Sequence, residues 1–241
     1  MGYDSETLHA LLTDLNKMCR LVADIDRHGD ALDSVGKKLN SELAKIKSPV
    51  YIVISAVCEI LHGADPWSVV HQRHVALIGT AISQDMRWPE SDIETVETAA
   101  LLQDIGKICT PSDFHCREES SVNDGSVPFN KHPLYSYEIL KRIECIPEAV
   151  SKAVLHHHEL IDGSGYPEGL SASGIVREAK ILSVADAVDT IITGSNRGST
   201  QGIDFALNAI RKNRGSRYDP VVVDACLAVF QSKKIRYPHI I

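Results

Sequence analysis

The chain has 241 residues, of which 44% are apolar and 24% are charged. This composition is typical of a globular protein with a full hydrophobic core, and it excludes wholesale disorder. The 25 basic and 32 acidic residues give a net charge of −7, which excludes duplex nucleic acid as a general partner. The apolar run 50–58 is too short to span a membrane, and the N-terminus has no basic, apolar export signal. We therefore expect a soluble, cytoplasmic protein.

Residues 1–47 carry an apolar repeat of seven residues that is typical of packed helices. One of its two apolar positions fails at Gly29 and Gly36. Because glycine costs a helix interior about 1 kcal/mol relative to alanine, the pattern fits two helices joined near Gly29 or one interrupted helix. The segment is either a helical hairpin packed on its own domain, 48–241, or a stalk through which the protein forms a homodimer.

The rest of the chain predicts helices separated by turns that are rich in glycine, proline and polar residues. Segment 50–61 fits either a strand or a buried helix. Helices are predicted over 71–83, 93–105, 134–143, 147–158, 175–190, 205–211 and 220–230, with a polar loop over 111–127. Since no series of alternating strands appears in the sequence, we expect an all-α bundle.

Eleven histidines are many for a chain of this length, and three of them are consecutive at 156–158. Adjacent side chains on an ideal helix point about 100° apart, so His157 and His158 converge on one ion only where the helix ends. The turn Asp-Gly-Ser-Gly-Tyr-Pro at 162–167 predicts such an end. Clusters of imidazole and carboxylate are typical of transition-metal sites. By itself, the triplet fits a metal site and a solvated helix end equally well.

Four motifs in a fixed order favour the metal site. They are Ala-Ala-Leu-Leu-Gln-Asp-Ile-Gly-Lys-Ile at 99–108, Lys-His-Pro at 131–133, His-His-Glu at 157–159 with the 162–167 turn, and Val-Ala-Asp at 184–186. Over about 65–230 this pattern resembles the HD-GYP family, a branch of the HD superfamily of metal-dependent phosphohydrolases. The resemblance implies an HD-superfamily helical bundle, here with an N-terminal helical extension. It also implies a binuclear centre of iron or manganese that hydrolyses cyclic di-GMP.

The resemblance further implies roles for individual residues. The implied metal ligands are His71, Asp104, His132, His157, His158 and Asp186. Asp104, which would bridge both ions, and Lys107, which would contact a phosphate, are the candidate catalytic residues. Tyr166 in the Gly-Tyr-Pro loop and Arg197 are the other candidate substrate contacts.

The sequence departs from the family pattern at Gln103, where the family has the histidine of its His-Asp pair. In the family this histidine shares one metal ion with the residues matched by His71, Asp104 and Asp186. That ligand set is therefore short of an imidazole, and an amide oxygen binds these metals more weakly. The other set, formed by Asp104 with the histidines at 132, 157 and 158, is complete. We expect one intact metal site and a doubtful second one, which His74 or His156 would have to rescue.

A second departure follows Asp189, where the family usually has an arginine-rich segment. Here the sequence at 194–198 is Gly-Ser-Asn-Arg-Gly, which leaves Arg197 as its arginine. This thinned segment and Gln103 favour a catalytically inactive domain that binds cyclic di-GMP, or a protein partner at the Gly-Tyr-Pro loop. The retained ligands and Lys107 favour a cyclic di-GMP phosphodiesterase, weakened by the loss at Gln103. A third hypothesis is a scaffold role through the N-terminal heptads. Of the three, the phosphodiesterase is our preferred interpretation.

Overall fold

The computed structural model describes residues 5–22, 24–44, 49–64, 66–109, 129–196 and 200–232, together with 235 and 237. These residues form ten α-helices, and the described chain contains no β-strand beyond two isolated bridges. The predicted all-α class is therefore confirmed. None of the described helices combines the length and the apolar character that a membrane crossing requires.

The helices follow the order of the predicted segments. They are α1 (Ser5–Val22), α2 (Ile25–Leu43), α3 (Pro49–Ala64), α4 (Pro66–Asp85), α5 (Glu90–Leu102), α6 (His132–Leu140), α7 (Glu148–Leu155), α8 (Arg177–Asn196), α9 (Thr200–Lys212) and α10 (Pro220–Gln231). Short 3-10 helices cover Ile105–Cys109 and Phe129–Lys131. The segment that fitted either a strand or a helix lies within α3, and the predicted polar loop 111–127 lies outside the described residues.

The N-terminal repeat forms two helices that pack against each other as a hairpin. The predicted junction near Gly29 is wrong, because α1 ends at Val22 and α2 runs through Gly29 from Ile25, where the small cost of a helical glycine is tolerated. Its apolar side chains are buried in the core of their own chain, since α1 also packs on α3, α6 and the 3-10 helix Ile105–Cys109. An ion pair of 2.9 Å between Lys38 and the buried Asp14 joins the two helices. The heptad positions thus serve internal packing, and self-association through the outward faces of these helices remains a prediction.

The centre of the fold is α4, which packs against α5, α8 and α10. Gly79 permits the close approach of α4 and α5, because a Cβ atom there would lie 3.0 Å from Cγ1 of Val96. Buried aliphatic side chains such as Ile78 and Val188 fill the space between the helices. Each contributes about 1.5–3 kcal/mol relative to an exposed position, which makes this layer a rigid support for the polar groups beside it.

A second close approach brings the end of α5 to the start of α6. A Cβ atom on Gly106 would lie 2.2 Å from the carbonyl oxygen of His132, so only glycine fits there. The hydroxyl of Ser136 donates to the carbonyl of Gln103 at 2.7 Å and accepts from the N–H of Gly106 at 2.9 Å. These contacts fix the Gln103–Asp104 pair against the first turn of α6.

Candidate metal centre and substrate cavity

Five segments that are distant in sequence meet at one end of the bundle. His71 comes from α4, Asp104 follows the end of α5, His132 begins α6, His157 and His158 follow α7, and Asp186 lies in the middle of α8. As expected from the turn at 162–167, α7 ends at Leu155 and His156 is its cap residue. The end of the helix frees His157 and His158 from ideal helical directions.

The three histidines 132, 157 and 158 form a compact cluster. Each offers a ring nitrogen, and these nitrogens all lie within 4.8 Å of one another. His132 and His157 are completely buried, with 3.3 Å between their Nε2 atoms. Nδ1 of His157 lies 2.6 Å from the carbonyl oxygen of Val154, so it must donate a hydrogen bond there. In the neutral ring Nε2 is then unprotonated, and its lone pair faces the cluster.

Burial also keeps two members of this cluster neutral. The surrounding apolar core lowers the pKa of His157, and burial together with the neighbouring rings lowers the pKa of His158 well below its ordinary value. A neutral imidazole is the form that binds a metal ion. The ring of Tyr166 stacks on His158, with centroids 4.7 Å apart and planes inclined by 29°, and so shields this part of the cluster from solvent.

Asp104 lies between this cluster and a second set of side chains, which comprises His71, Gln103 and Asp186. Its Oδ1 is 3.5 Å from Nε2 of His132, and its Oδ2 is 3.8 Å from Nε2 of His71. Nζ of Lys107 donates to Oδ2 at 2.8 Å. Burial disfavours the charged carboxylate, but Lys107 and the surrounding histidines outweigh it and hold the pKa of Asp104 well below its ordinary value. Asp104 is therefore an anion with one oxygen toward each set.

The second set is held by charge rather than by converging imidazoles. His71 contacts Asp186 through Nε2 at 2.9 Å and Asp189 through Nδ1 at 2.6 Å. Burial opposes a charged ring, but these hydrogen bonds and the negative charge of Asp104 and Asp186 raise the pKa of His71 to about 10. Asp186 also lies 3.8 Å from Nδ1 of His158, so it too faces both sets.

Gln103 takes the position at which the family has a histidine ligand, and it lies beside Asp186 in the second set. Its side chain is completely buried, and its amide nitrogen lies 3.4 Å from Oδ1 of Asp186. The amide oxygen has no hydrogen-bond partner among the described residues, although it is shielded from solvent. An orphaned buried acceptor is costly unless something positive meets it. This oxygen, the carboxylates of Asp104 and Asp186, and the neutral imidazoles together fit a divalent metal of the iron or manganese type.

Neither candidate for rescue takes the place of the lost imidazole. Nδ1 of His74 contacts Asp189 at 2.8 Å, and Nε2 of His156 contacts Glu168 at 3.0 Å. Both rings are thus engaged with carboxylates outside the set of Asp104, Asp186 and His71.

Asp189 is a part of the site for which the sequence analysis gave no role. Its buried carboxylate contacts His71 and His74, and it accepts a close hydrogen bond from the hydroxyl of Tyr237. Burial opposes its charge, but hydrogen bonds from His71 and His74 hold the pKa of Asp189 at about 2. A carboxylate of this kind fixes the ring direction of a ligand histidine. Asp189 follows Asp186 by three residues and therefore lies on the same face of α8, which is the feature of the sequence that could have identified it.

Glu159 has a supporting role that the sequence analysis also missed. Its buried carboxylate accepts backbone N–H groups of Glu168, Gly169 and Leu170 at 2.7, 3.1 and 2.9 Å. It therefore anchors the Gly-Tyr-Pro loop directly beside the histidine pair.

Three members of the two sets, His71, His158 and Asp186, line a cavity of about 670 Å³. This volume lies in the usual range of small-molecule pockets, about 300–1,000 Å³. Lys107, Tyr166 and Arg217 are among the residues that line it. Arg217 is a cavity residue that the sequence analysis did not identify. Arg197, the predicted substrate arginine, lies outside the described residues.

The HD domain family matches the chain over residues 55–222, which is more than half of its length. The chain belongs to the HD domain family. Among curated proteins, it is 27% identical over 195 residues to the cyclic di-GMP phosphodiesterase response regulator RpfG of Xanthomonas campestris pv. campestris, an alignment that covers 80% of this chain and 52% of RpfG. These matches confirm the resemblance to the HD-GYP branch.

Two further curated relatives of this chain are also named as phosphodiesterases of cyclic dinucleotides. A cyclic di-GMP phosphodiesterase of Thermotoga maritima is 29% identical, over 65% of this chain and 43% of that protein. A 3′3′-cGAMP-specific phosphodiesterase 2 of Vibrio cholerae is 26% identical, over 94% of this chain and 43% of that protein. The chain thus spans about half the length of the curated relatives that it matches.

Solved structures agree with the fold. Bd1817, an HDG"Y"P protein from Bdellovibrio bacteriovorus, aligns with a TM-score of 0.55 at 15% identity, over 93% of this chain and 70% of Bd1817. The HD domain of the Listeria monocytogenes phosphodiesterase PgpH, in complex with cyclic-di-AMP, aligns with a TM-score of 0.54 at 17% identity, over 73% of this chain and 96% of that domain. At these identities the likeness concerns the fold.

Proposed function

We propose that this protein is a metal-dependent phosphodiesterase that hydrolyses cyclic di-GMP. The observation that carries the proposal is the convergence of three imidazoles, two of them fully buried, with Asp104 beside a cavity that His158 lines. The names of the relatives support the same reaction and substrate class.

The donor set divides naturally between two ions. Asp104 and the histidines at 132, 157 and 158 would hold the first, and Asp104, His71 and Asp186 would hold the second, with the amide oxygen of Gln103 in place of an imidazole. Iron or manganese suits these nitrogen and oxygen donors. When bound, such a centre would supply hydroxide near neutral pH and would stabilise negative charge on the phosphoryl oxygens.

The protein side chains supply binding and orientation around this chemistry. The ammonium group of Lys107 lines the cavity beside Asp104 and is placed to receive a phosphate oxygen. Tyr166 stacks on His158 and covers one face of that ring. Asp189 holds the ring of His71 in one orientation. No serine or cysteine nucleophile is required.

A second candidate function rests on the contacts that the side chains of Gln103 and His71 make within the protein. Gln103 has its amide nitrogen toward Asp186, and His71 is bound by two carboxylates, so the second set is engaged within the protein. This arrangement favours a domain that binds cyclic di-GMP, or a protein partner at the Gly-Tyr-Pro loop, without turnover.

Hydrolysis assays separate the two functions. The purified protein is supplied with Mn²⁺ or Fe²⁺ and cyclic di-GMP, and nucleotides are separated by chromatography. We expect linear dinucleotide or mononucleotide product, which a chelator and the Asp104→Ala variant both abolish. Calorimetric binding of cyclic di-GMP without any product would instead establish the binding domain.

A further inference from the structure

A cyclic dinucleotide carries two phosphates, but the groups assigned above serve only one of them. This inference rests on the proposed function and extends it to the other phosphate. Among the described residues that line the cavity, the lysine and arginine side chains are Lys107 and Arg217. Lys107 is already paired with the buried Asp104. The second phosphate therefore needs a different cation.

We propose that Arg217 binds the phosphate of the cyclic dinucleotide that is not cleaved and so determines affinity for two-phosphate substrates. The guanidinium group offers paired N–H donors that match two phosphate oxygens. Arg217 reaches the cavity from the loop after α9, whereas Lys107 belongs to the 3-10 helix that follows α5. The two cations thus come from separate walls of the cavity.

The backbone around Arg217 is held in a tight turn. The carbonyl of Asn213 accepts N–H groups from Ser216, Arg217 and Tyr218 at 3.2, 3.0 and 3.1 Å. Gly215 has φ of +74°, a conformation that favours glycine, and its N–H donates to the carbonyl of Tyr218 at 2.9 Å. An anchor built on such a turn loses little backbone freedom when a ligand binds.

The same turn is docked onto the segment that follows the histidine pair. The carbonyl of Arg217 accepts the N–H of Ile161 at 3.0 Å. Ile161 lies between the buried Glu159, which anchors the Gly-Tyr-Pro loop, and the turn at 162–167. The position of Arg217 is therefore set relative to the metal ligands rather than to a distant surface.

The guanidinium group of Arg217 is available to a ligand. Its side chain is exposed, and it forms no ion pair within the described part of the chain. The neighbouring acid is Asp162, whose Oδ1 accepts the N–H and the hydroxyl of Ser164 at 2.9 and 2.6 Å. Those hydrogen bonds are the main reason that the pKa of Asp162 is lowered, and Arg217 adds a smaller effect. Asp162 thus lies near Arg217 but has its hydrogen bonds from Ser164.

Arg214 on the same turn provides the matched control. Its Nε and an Nη donate to the two oxygens of Asp224 at 2.7 and 2.5 Å. Arg214 does not line the cavity, so its charge is used on the outer surface. The substitutions Arg217→Gln and Arg214→Gln therefore remove the same charge from the same loop, and only the first removes it from the cavity.

The experiment measures the Kd of cyclic di-GMP by calorimetry, and KM and kcat by chromatography, for the wild type and both variants in Mn²⁺. Removal of a charge-assisted phosphate contact is expected to raise Kd and KM roughly 10-fold in Arg217→Gln, with little change in kcat. Arg214→Gln is expected to match the wild type. Arg217→Lys should recover part of the affinity, because lysine keeps the charge but not the paired donors.

A chromogenic diester with a single phosphate, bis(p-nitrophenyl) phosphate, supplies the second readout. Arg217→Gln should hydrolyse it as fast as the wild type does, since that substrate has no second phosphate. Unchanged Kd and KM for cyclic di-GMP, an equal loss with both diesters, or no binding of cyclic di-GMP by the wild type would each overturn the assignment of Arg217. Weaker binding by Arg217→Gln in a protein that hydrolyses neither diester would support Arg217 and refute the phosphodiesterase.

Discussion

The two halves of the candidate metal centre differ in how their side chains are prepared for an ion. In the half formed by His132, His157 and His158, three ring nitrogens lie within 4.8 Å of one another. In the half formed by His71, Gln103 and Asp186, His71 is paired with two carboxylates and Gln103 points its amide nitrogen at one of them. The ring nitrogens of the first half converge as metal ligands do, whereas the side chains of the second half form hydrogen bonds with carboxylates.

The amide at position 103 contributes to this difference. An imidazole at position 103 would have offered a lone pair, whereas the amide offers a donor to Asp186 and leaves its own oxygen without a partner. Beside it, His71 contacts the carboxylates of Asp186 and Asp189, and these contacts favour the charged form of its ring. Since a metal ion requires deprotonated ligands, the two halves should differ in affinity.

The largest effect is expected from Asp104→Ala, because Asp104 faces both halves. The variant should lose nearly all of its bound iron or manganese, and elemental analysis after dialysis measures this. Asp204→Ala, an exposed acid on α9, is the control and should keep the metal content of the wild type. If Asp104→Ala retains metal in full, the two halves do not share this carboxylate.

A second prediction concerns stoichiometry. The wild type should hold close to one tightly bound metal per chain, and Gln103→His should hold close to two, because imidazole completes the set with His71, Asp104 and Asp186. Hydrolysis of cyclic di-GMP should rise together with the second ion. Two stoichiometric metals in the dialysed wild type would show that the amide oxygen of Gln103 is an adequate ligand.

A third prediction tests whether Asp189 serves only one half. Asp189→Asn removes the charge that orients His71 while it keeps the shape of the side chain. In the Gln103→His background, the affinity for the second metal should fall about 10–100-fold, as measured by metal titration. The first metal should be unaffected. An equal loss of both ions would mean that Asp189 supports the whole site rather than the half around His71.

The smallest effect is expected at Tyr166, which covers His158 in the complete half. Tyr166→Ala should lower kcat for cyclic di-GMP roughly 10-fold by opening that ring to water, with metal content unchanged. Tyr166→Phe keeps the stacked ring and should retain most of the activity. If the phenylalanine variant is as slow as the alanine variant, the hydroxyl rather than the ring is the functional group.

Much of the fold and part of the site followed from local patterns. The spacing of apolar residues predicted the helices from α4 to α10, because an amphipathic period of 3.6 residues is a property of a short segment. The glycine-rich turn after Glu159 predicted the end of α7 and hence the convergence of His157 and His158. The ordered motifs identified the residues that the structure brings together, Gln103 among them.

Other features depended on contacts between residues far apart in sequence. The pattern of residues 1–47 fitted a hairpin packed on its own domain or a stalk, and only the folded chain shows α1 packed against α3 and α6. The role of Asp189 depends on His71, 118 residues away, and the turn that carries Arg217 is held beside the cavity by a backbone hydrogen bond to Ile161. The sequence by itself therefore determined the helices and the candidate ligands, since periodicity and motifs are local. Only the tertiary structure decided which carboxylates pair with which histidines and which arginine lines the cavity, because these contacts exist only after distant helices have packed.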